Sequence, residues 1–113
     1  MTSPRYDVVA IGNAIVDVLS RESDAFIEAR GLAKGSMRLI DTEEARALYA
    51  EMAPGVEMSG GSAANTLAGM AALGRRCAFI GQVSDDQLGE VFRHDLTATG
   101  VNFTTPVRAG DPP

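Results

Sequence analysis

Among 113 residues the chain has a single cysteine, Cys77, and a single histidine, His94, and each scarcity excludes a class of chemistry. One thiol closes no internal disulfide, which fits a reducing compartment and a cytoplasmic protein. One imidazole, on an expected helix, leaves no Ser-His-Asp triad. With one cysteine beside it, there is also no ligand cluster for a metal. His94 reads as a surface residue beside an apolar stripe. Basic charge is scarce too: 10 Lys and Arg stand against 15 Asp and Glu, for a net charge of −5. The cations are scattered apart from Arg75-Arg76, so nucleic acid is not an expected partner.

Leader, anchor and phosphate-loop signals are also missing. Met1-Thr2-Ser3-Pro4-Arg5-Tyr6 has no apolar core of an export signal. Without export, the Asn102-Phe103-Thr104 sequon carries no meaning for glycosylation. The charge-free stretch from Ser59 to Gly74 is too short, and too rich in Gly, Ser and Asn, to span a membrane. Gly69 to Arg76 approaches the G-x-x-x-x-G-K-[ST] loop, but Arg75 and Arg76 stand where Lys and Ser or Thr are needed, and at the end of a helix. Only Gly12 follows the first strand, where a dinucleotide loop needs three glycines. No internal repeat or low-complexity tract is present.

What is there is ordinary in amount: 45% hydrophobic and 22% charged residues suit one globular domain or part of one. The charge-free stretch is the organising feature. Gly60-Gly61 allows backbone conformations closed to other residues and lets a ligand approach the main chain. A helix follows, expected to bury nearly all round, with Gly74 as its stop. The amides of its first turn have no intrahelical partners and face an oxygen-rich ligand with the positive end of the dipole. Asn65 adds an amide side chain one turn in.

Along the chain, Val8-Val9-Ala10-Ile11 reads as a strand buried on both faces and ending at Gly12. Ile15 to Leu19 is a second strand with Asp17 in its middle, a carboxylate costly to bury unless bonded, and so either at the open end of the strand or in a site. Ser23 or Asp24 caps a short helix that Gly31 ends. Met37 to Ile40 is expected as a short strand. Asp41 and Glu44 form a capping box for a helix to about Met52, with Ala45, Leu48, Tyr49 and Met52 on one side. Val56 to Ser59 is a further short strand, and with 37–40 it suggests an appendage. Cys77 to Ile80 is a buried parallel-type strand, with Cys77 as a small core residue. Asp85 or Asp86 caps a helix to about Thr99 with Leu88, Val91, Phe92 and Leu96 on one face and Gly100 as its stop. Val101 to Val107 offers one more strand, and Gly110-Asp111-Pro112-Pro113 is a turn. The alternation implies an α/β fold with a mainly parallel sheet. On these residues alone the chain offers a binding cleft for a polyhydroxyl or anionic small molecule and no catalytic machine.

Four pieces taken in order resemble the N-terminal part of the ribokinase-like (PfkB) carbohydrate kinases. They are Gly12-Asn13 with Asp17, then Ser59 to Asn65, then Phe79-Ile80-Gly81-Gln82-Val83-Ser84-Asp85-Asp86-Gln87-Leu88-Gly89, and finally Gly100-Val101. The Gly12-Asn13 opening, the segment Gly31 to Gly35 and the Gly-Gly-Ser turn look most like the adenosine kinase branch. The resemblance implies a doubly wound α/β fold, with core strands near 7–12 and 77–81 and a small β lid of strands near 36–40 and 56–59. One domain part, residues 1–113, is then the substrate-binding portion.

It also implies roles. Asp17 would bond two sugar hydroxyls, Asn13, Gly60, Gly61 and Asn65 would complete the sugar contacts, and Met37 and Leu39 would cover the base or the apolar side. Gln82 to Asp86 would lie at the carboxyl edge of the sheet, with Ser84 where the family more usually has glycine. The family's catalytic base and anion hole come from a G-A-G-D stretch in the C-terminal half, where ATP and Mg2+ bind. Those parts are absent here, and Asp111 is no substitute. The chain alone is therefore expected to bind neither cofactor and to be inactive. The expected partners are a small-molecule substrate and a second copy of the chain through the lid. Three functions stay open: a kinase of adenosine or a related ribosyl compound, a kinase of another sugar such as ribose or fructose, and a non-catalytic nucleoside- or sugar-binding module.

Overall fold

A computed structural model describes residues 4–110; the last three residues of the expected turn at 110–113, Asp111 among them, and the first three of the leader reading lie outside the described residues. Eight elements follow in order: β1 (Val8–Ile11), β2 (Ile15–Leu19), α1 (Asp24–Ala29), α2 (Thr42–Glu51), β3 (Val56–Gly60), α3 (Ser62–Ala72), β4 (Cys77–Ile80) and α4 (Gln87–Ala98). The chain divides into two compact units. One comprises Met1–Asp17 with Glu57–Pro113, the other Val18–Val56.

The first unit is an α/β layer built on the parallel pairing of β1 with β4, Val8 opposite Cys77 through Ile11 opposite Ile80. Gly12 N extends this ladder to Ile80 O at 3.1 Å. Its core is aromatic: Phe79 of β4, Phe92 of α4 and Phe103 sit with ring centroids 5.4 to 5.7 Å apart in tilted and edge-on pairs. Such pairs add to the area they bury. Ala64, Leu67, Cys77, Val83, Leu96 and Val101 close around them. The Arg93 guanidinium lies 4.4 Å from the Phe103 ring centre and donates to the carbonyl oxygens of Phe103 and Thr105, which fixes the segment returning after α4.

Local chain signals are realised as written. Ser23, Asp41 and Asp86 accept from Phe26 N, Glu44 N and Gly89 N and open α1, α2 and α4. Gly74, at φ +88°, ends α3 in a paired motif: its own N–H reaches Ala71 O while Arg75 N reaches Met70 O. His94 is exposed. In the second unit, Glu22 accepts from Ala53 N at 2.6 Å and Arg30 pairs with Glu51 at 3.2 Å, which ties α1 to the end of α2.

Five expectations are corrected, each because burial and pairing depend on a partner that the local pattern does not specify. No strand forms over 36–40. The segment has no ladder partner among the described residues, and Met37 and Leu39 are 86% and 88% exposed. Strand structure requires its backbone groups to be bonded across to a neighbour. Here the segment is instead tied to α2 by Arg38 and Glu44 at 2.8 Å. β1 is buried on one face only: Val9 and Ile11 are exposed while Val8 and Ala10 pack on the core. α3 buries Ala64 and Leu67 rather than its whole circumference, and α2 buries none of its stripe. Residues 101–108 run parallel to β4 and its extension but meet them only at two bridges, Ala78 with Asn102 and Ser84 with Arg108, so no continuous strand forms.

Two outcomes test this core. Phe92→Ala removes a ring with no exposure from the middle of the aromatic cluster and is expected to cost about 3–5 kcal/mol in urea unfolding. Asp7 accepts from the backbone N–H of Arg76 at 2.8 Å and from its guanidinium at 3.2 Å. These bonds, the backbone one first, hold its carboxyl below the ordinary value. A depressed folded pKa stabilises above the unfolded pKa and is lost as pH falls through the folded one. The thermal midpoint should therefore drop below about pH 4, and Asp7→Asn should flatten that part of the profile.

Candidate functional site

The site lies in the first unit, where the C-terminal end of β1 and the strand after it meet the β3–α3 corner. β2 and β3 form a two-stranded sheet, which sets Asp17 against the last residue of β3. A Cβ on Gly60 would stand 2.5 Å from Asp17 Oδ2 and 3.0 Å from its Cγ. The carboxylate thus rests directly on the main chain of a buried glycine, and any side chain at position 60 would displace it. Asp17 is exposed, and no hydrogen bond or ion pair with any described residue satisfies it. Asp17 is the middle residue of β2 rather than at its open end, and it stands as an exposed acceptor beside the glycine corner.

Gly61 turns that corner at φ +88°, a conformation side chains rarely adopt, and is itself the N-cap of α3 with no side-chain cap. Its carbonyl receives Asn65 N at 3.0 Å. A Cβ there would lie 3.4 Å from Asn13 O and 3.5 Å from Ile15 Cβ. Gly12, just before Asn13, packs on the first turn of α3: a Cβ would come within 3.0 Å of Ala63 Cβ. Five expected site residues, Asn13, Asp17, Gly60, Gly61 and Asn65, therefore lie on segments in mutual contact. The side chains of Asn13, Asp17 and Asn65 are exposed around an uncapped helix start. Chemically this is an acceptor carboxylate, two amides and a positive dipole end, a set suited to hydroxyl groups. Met37 and Leu39 belong to the other unit.

Beside the corner is a hollow of about 120 Å3 lined by Ala14, Val16, Gln82, Val83, Ser84, Asp86, Leu88, Gly89 and Phe92. Ser84 is buried there, and among the described residues none other than glycine has a positive φ, so serine sits at that position without backbone strain. The glycine requirement falls instead on Gly89, whose missing Cβ would collide with Ser84 O. Gln82 Nε2 donates to Val83 O and Pro106 O at 3.0 and 2.9 Å. Sequence reasoning missed the residues of α4 that grip β3. Asp95 Oδ2 accepts from Ser59 N at 2.9 Å, and Gln87 Nε2 donates to both Glu57 oxygens at 3.1 and 2.9 Å. No spacing rule links residues 30 or 36 positions apart.

Residues 7–112 match the profile of the pfkB family carbohydrate kinases. The chain belongs to that family. Among solved structures it is similar to adenosine kinase from Sinorhizobium meliloti, at 55% identity and a TM-score of 0.77 over 97% of this chain and 34% of that one. A probable sugar kinase from Rhizobium etli CFN 42 is 48% identical, with a TM-score of 0.75 over 93% of this chain and 32% of that one. Adenosine kinase from Schistosoma mansoni in complex with tubercidin, at 18% identity and a TM-score of 0.71 over 91% of this chain, shares the fold. A curated relative, 5-dehydro-2-deoxygluconokinase from Lacticaseibacillus casei, is 32% identical over 92% of this chain and 25% of its own length. The chain thus spans about a quarter of that relative and a third of the solved kinases. Its fold is the α/β, ribokinase-like one.

The Gly60 contact has a direct test by double-mutant cycle in urea unfolding. Gly60→Ala should destabilise the chain, and less so when Asp17→Ala has removed the group it collides with. A coupling of about 0.5–3 kcal/mol is expected; independent effects would mean that the carboxylate does not rest on the glycine.

Proposed function

We propose that the chain forms the substrate-binding portion of an ATP-dependent nucleoside kinase that phosphorylates a primary hydroxyl of adenosine or a related ribosyl compound. The observation that carries this reading is the unpartnered Asp17 carboxylate set on the Cβ-free Gly60 beside the start of α3. An ionised carboxylate accepts from two hydroxyls at once, which suits the vicinal diol of a ribose. Asn13 and Asn65 add donors and acceptors at the rim, and the amides of the first turn of α3 favour further oxygens. The 55% identity to an adenosine kinase supports a nucleoside over a simple sugar.

The work of these residues is binding and orientation, which brings a hydroxyl into line for transfer. Bound ATP with magnesium would supply the phosphoryl group. Among the described residues no group of three His, Cys, Asp or Glu side chains converges, whereas magnesium on a nucleotide is held mainly by the phosphates and water with one or two carboxylates. In this reading ATP and magnesium are held by residues outside these 113. A cytoplasmic location and a second copy of the chain docked through the Met37–Leu39 region are parts of the same reading. No helix among the described residues is long and apolar enough to cross a membrane. A second reading, a kinase of another sugar, is favoured by the likeness to a probable sugar kinase and to a 5-dehydro-2-deoxygluconokinase.

In the full-length protein, Asp17→Ala is expected to raise the KM for adenosine about 100-fold or to abolish turnover, because the substrate hydroxyls lose a charged acceptor. Unchanged kinetics would remove Asp17 from the site. Ranking kcat/KM for adenosine, inosine, ribose and fructose decides between the two readings, with adenosine expected first.

A further inference from the structure

The Gly60-Gly61 corner has no side chains with which to lock itself in place, yet its use as a binding surface depends on where its main chain stands. What precedes it is β3, and β3 is gripped from α4. Asp95 Oδ2 accepts from Ser59 N, the amide immediately before Gly60, at 2.9 Å in a half-buried setting. Two residues earlier on the strand, Glu57 receives Gln87 Nε2 on both carboxylate oxygens. The helix that carries both grips is immobilised by Phe92, between them in sequence, and by Leu96, next after Asp95, which are 0% and 1% exposed. A hydrogen bond from a main-chain N–H to an ionised carboxylate is shorter and about twice as strong as a neutral one. Errors of about 1 Å in a substrate-positioning group are enough to cost large factors in rate.

We propose that Asp95 is a positioning residue for the substrate corner: its carboxylate holds the Ser59 amide, and so sets the height of Gly60 under the Asp17 carboxylate. The proposal rests on the reading of that corner as the substrate site. Asp95 touches neither Asp17 nor the ligand in this account; it acts through one main-chain amide, so an acceptor oxygen at the same place is the property that matters. Asparagine retains such an oxygen and alanine does not.

The test uses the full-length protein with adenosine as substrate. Asp95→Ala is expected to raise KM about ten-fold while kcat stays within a factor of about two, and Asp95→Asn to restore KM to within about three-fold of the unaltered protein. An Asp95→Ala protein with unaltered KM, or Ala and Asn variants equally impaired, would overturn the proposal. Where Asp95→Ala does not fold, amide exchange at Ser59 decides the matter. Protection in the unaltered chain that weakens less than about ten-fold in Asp95→Asn supports the role, and an unprotected Ser59 amide overturns it. Asp17→Ala, measured alongside, separates the two claims. If it leaves KM unchanged, the substrate site lies elsewhere and both readings fall. If it abolishes binding while Asp95→Ala binds normally, only the positioning role falls.

Discussion

The parallel pairing of β1 with β4 is the constraint on which the arrangement depends. Strands that run the same way must be joined by a crossover, and here everything from Gly12 to Arg76 is that crossover. Because both strands end on the same side, the loops that leave them, at Gly12-Asn13 and at Gly81-Gln82, emerge at one edge of the sheet. Open parallel sheets collect ligands at that edge. The fit there is close: a Cβ on Gly12 would press on Ala63 Cβ at 3.0 Å, and one on Gly81 would stand 2.7 Å from Gly12 O, too near for any residue but glycine without a shift of the backbone.

From this edge the candidate site follows by two further steps. β2 leaves the edge and brings Asp17 alongside β3, and β3 ends in the glycine pair that starts α3. The carboxylate, the corner and the helix start are thus consecutive consequences of one chain path. The core beneath them, with Phe79, Phe92 and Phe103 in mutual contact, fixes α4 where it can reach back to β3.

Much of this was legible in the sequence because much of it is local. Ser23, Asp41 and Asp86 cap α1, α2 and α4 through amides three residues away, and Gly31, Gly74 and Gly100 end α1, α3 and α4 through their own positive φ. The strands of the parallel pair announce themselves as apolar runs, and an Asp in the middle of β2 stands out for the cost of burying it. Burial was not legible. The outward faces of β1 and α3 carry Val9, Ile11 and Ala72 that read as core, yet whether a residue is covered depends on what lies opposite it. The segment 36–40 fails as a strand for the same reason, since a ladder needs a second chain segment and the pattern of one segment does not provide it. The contact of Asp95 with Ser59 was invisible as well: a charge on a helix face usually means solvent, and only the fold reveals a main-chain amide in front of it.

The burial of Cys77 has a practical side. It is the sole thiol in the chain, placed in β4 at 2% exposure among the residues of the aromatic core. A maleimide or fluorescent probe that requires contact with solvent therefore meets a blank background on the folded chain. A cysteine introduced anywhere on the surface would be the single labelled position, and a probe reaching Cys77 would instead count the molecules whose core has opened.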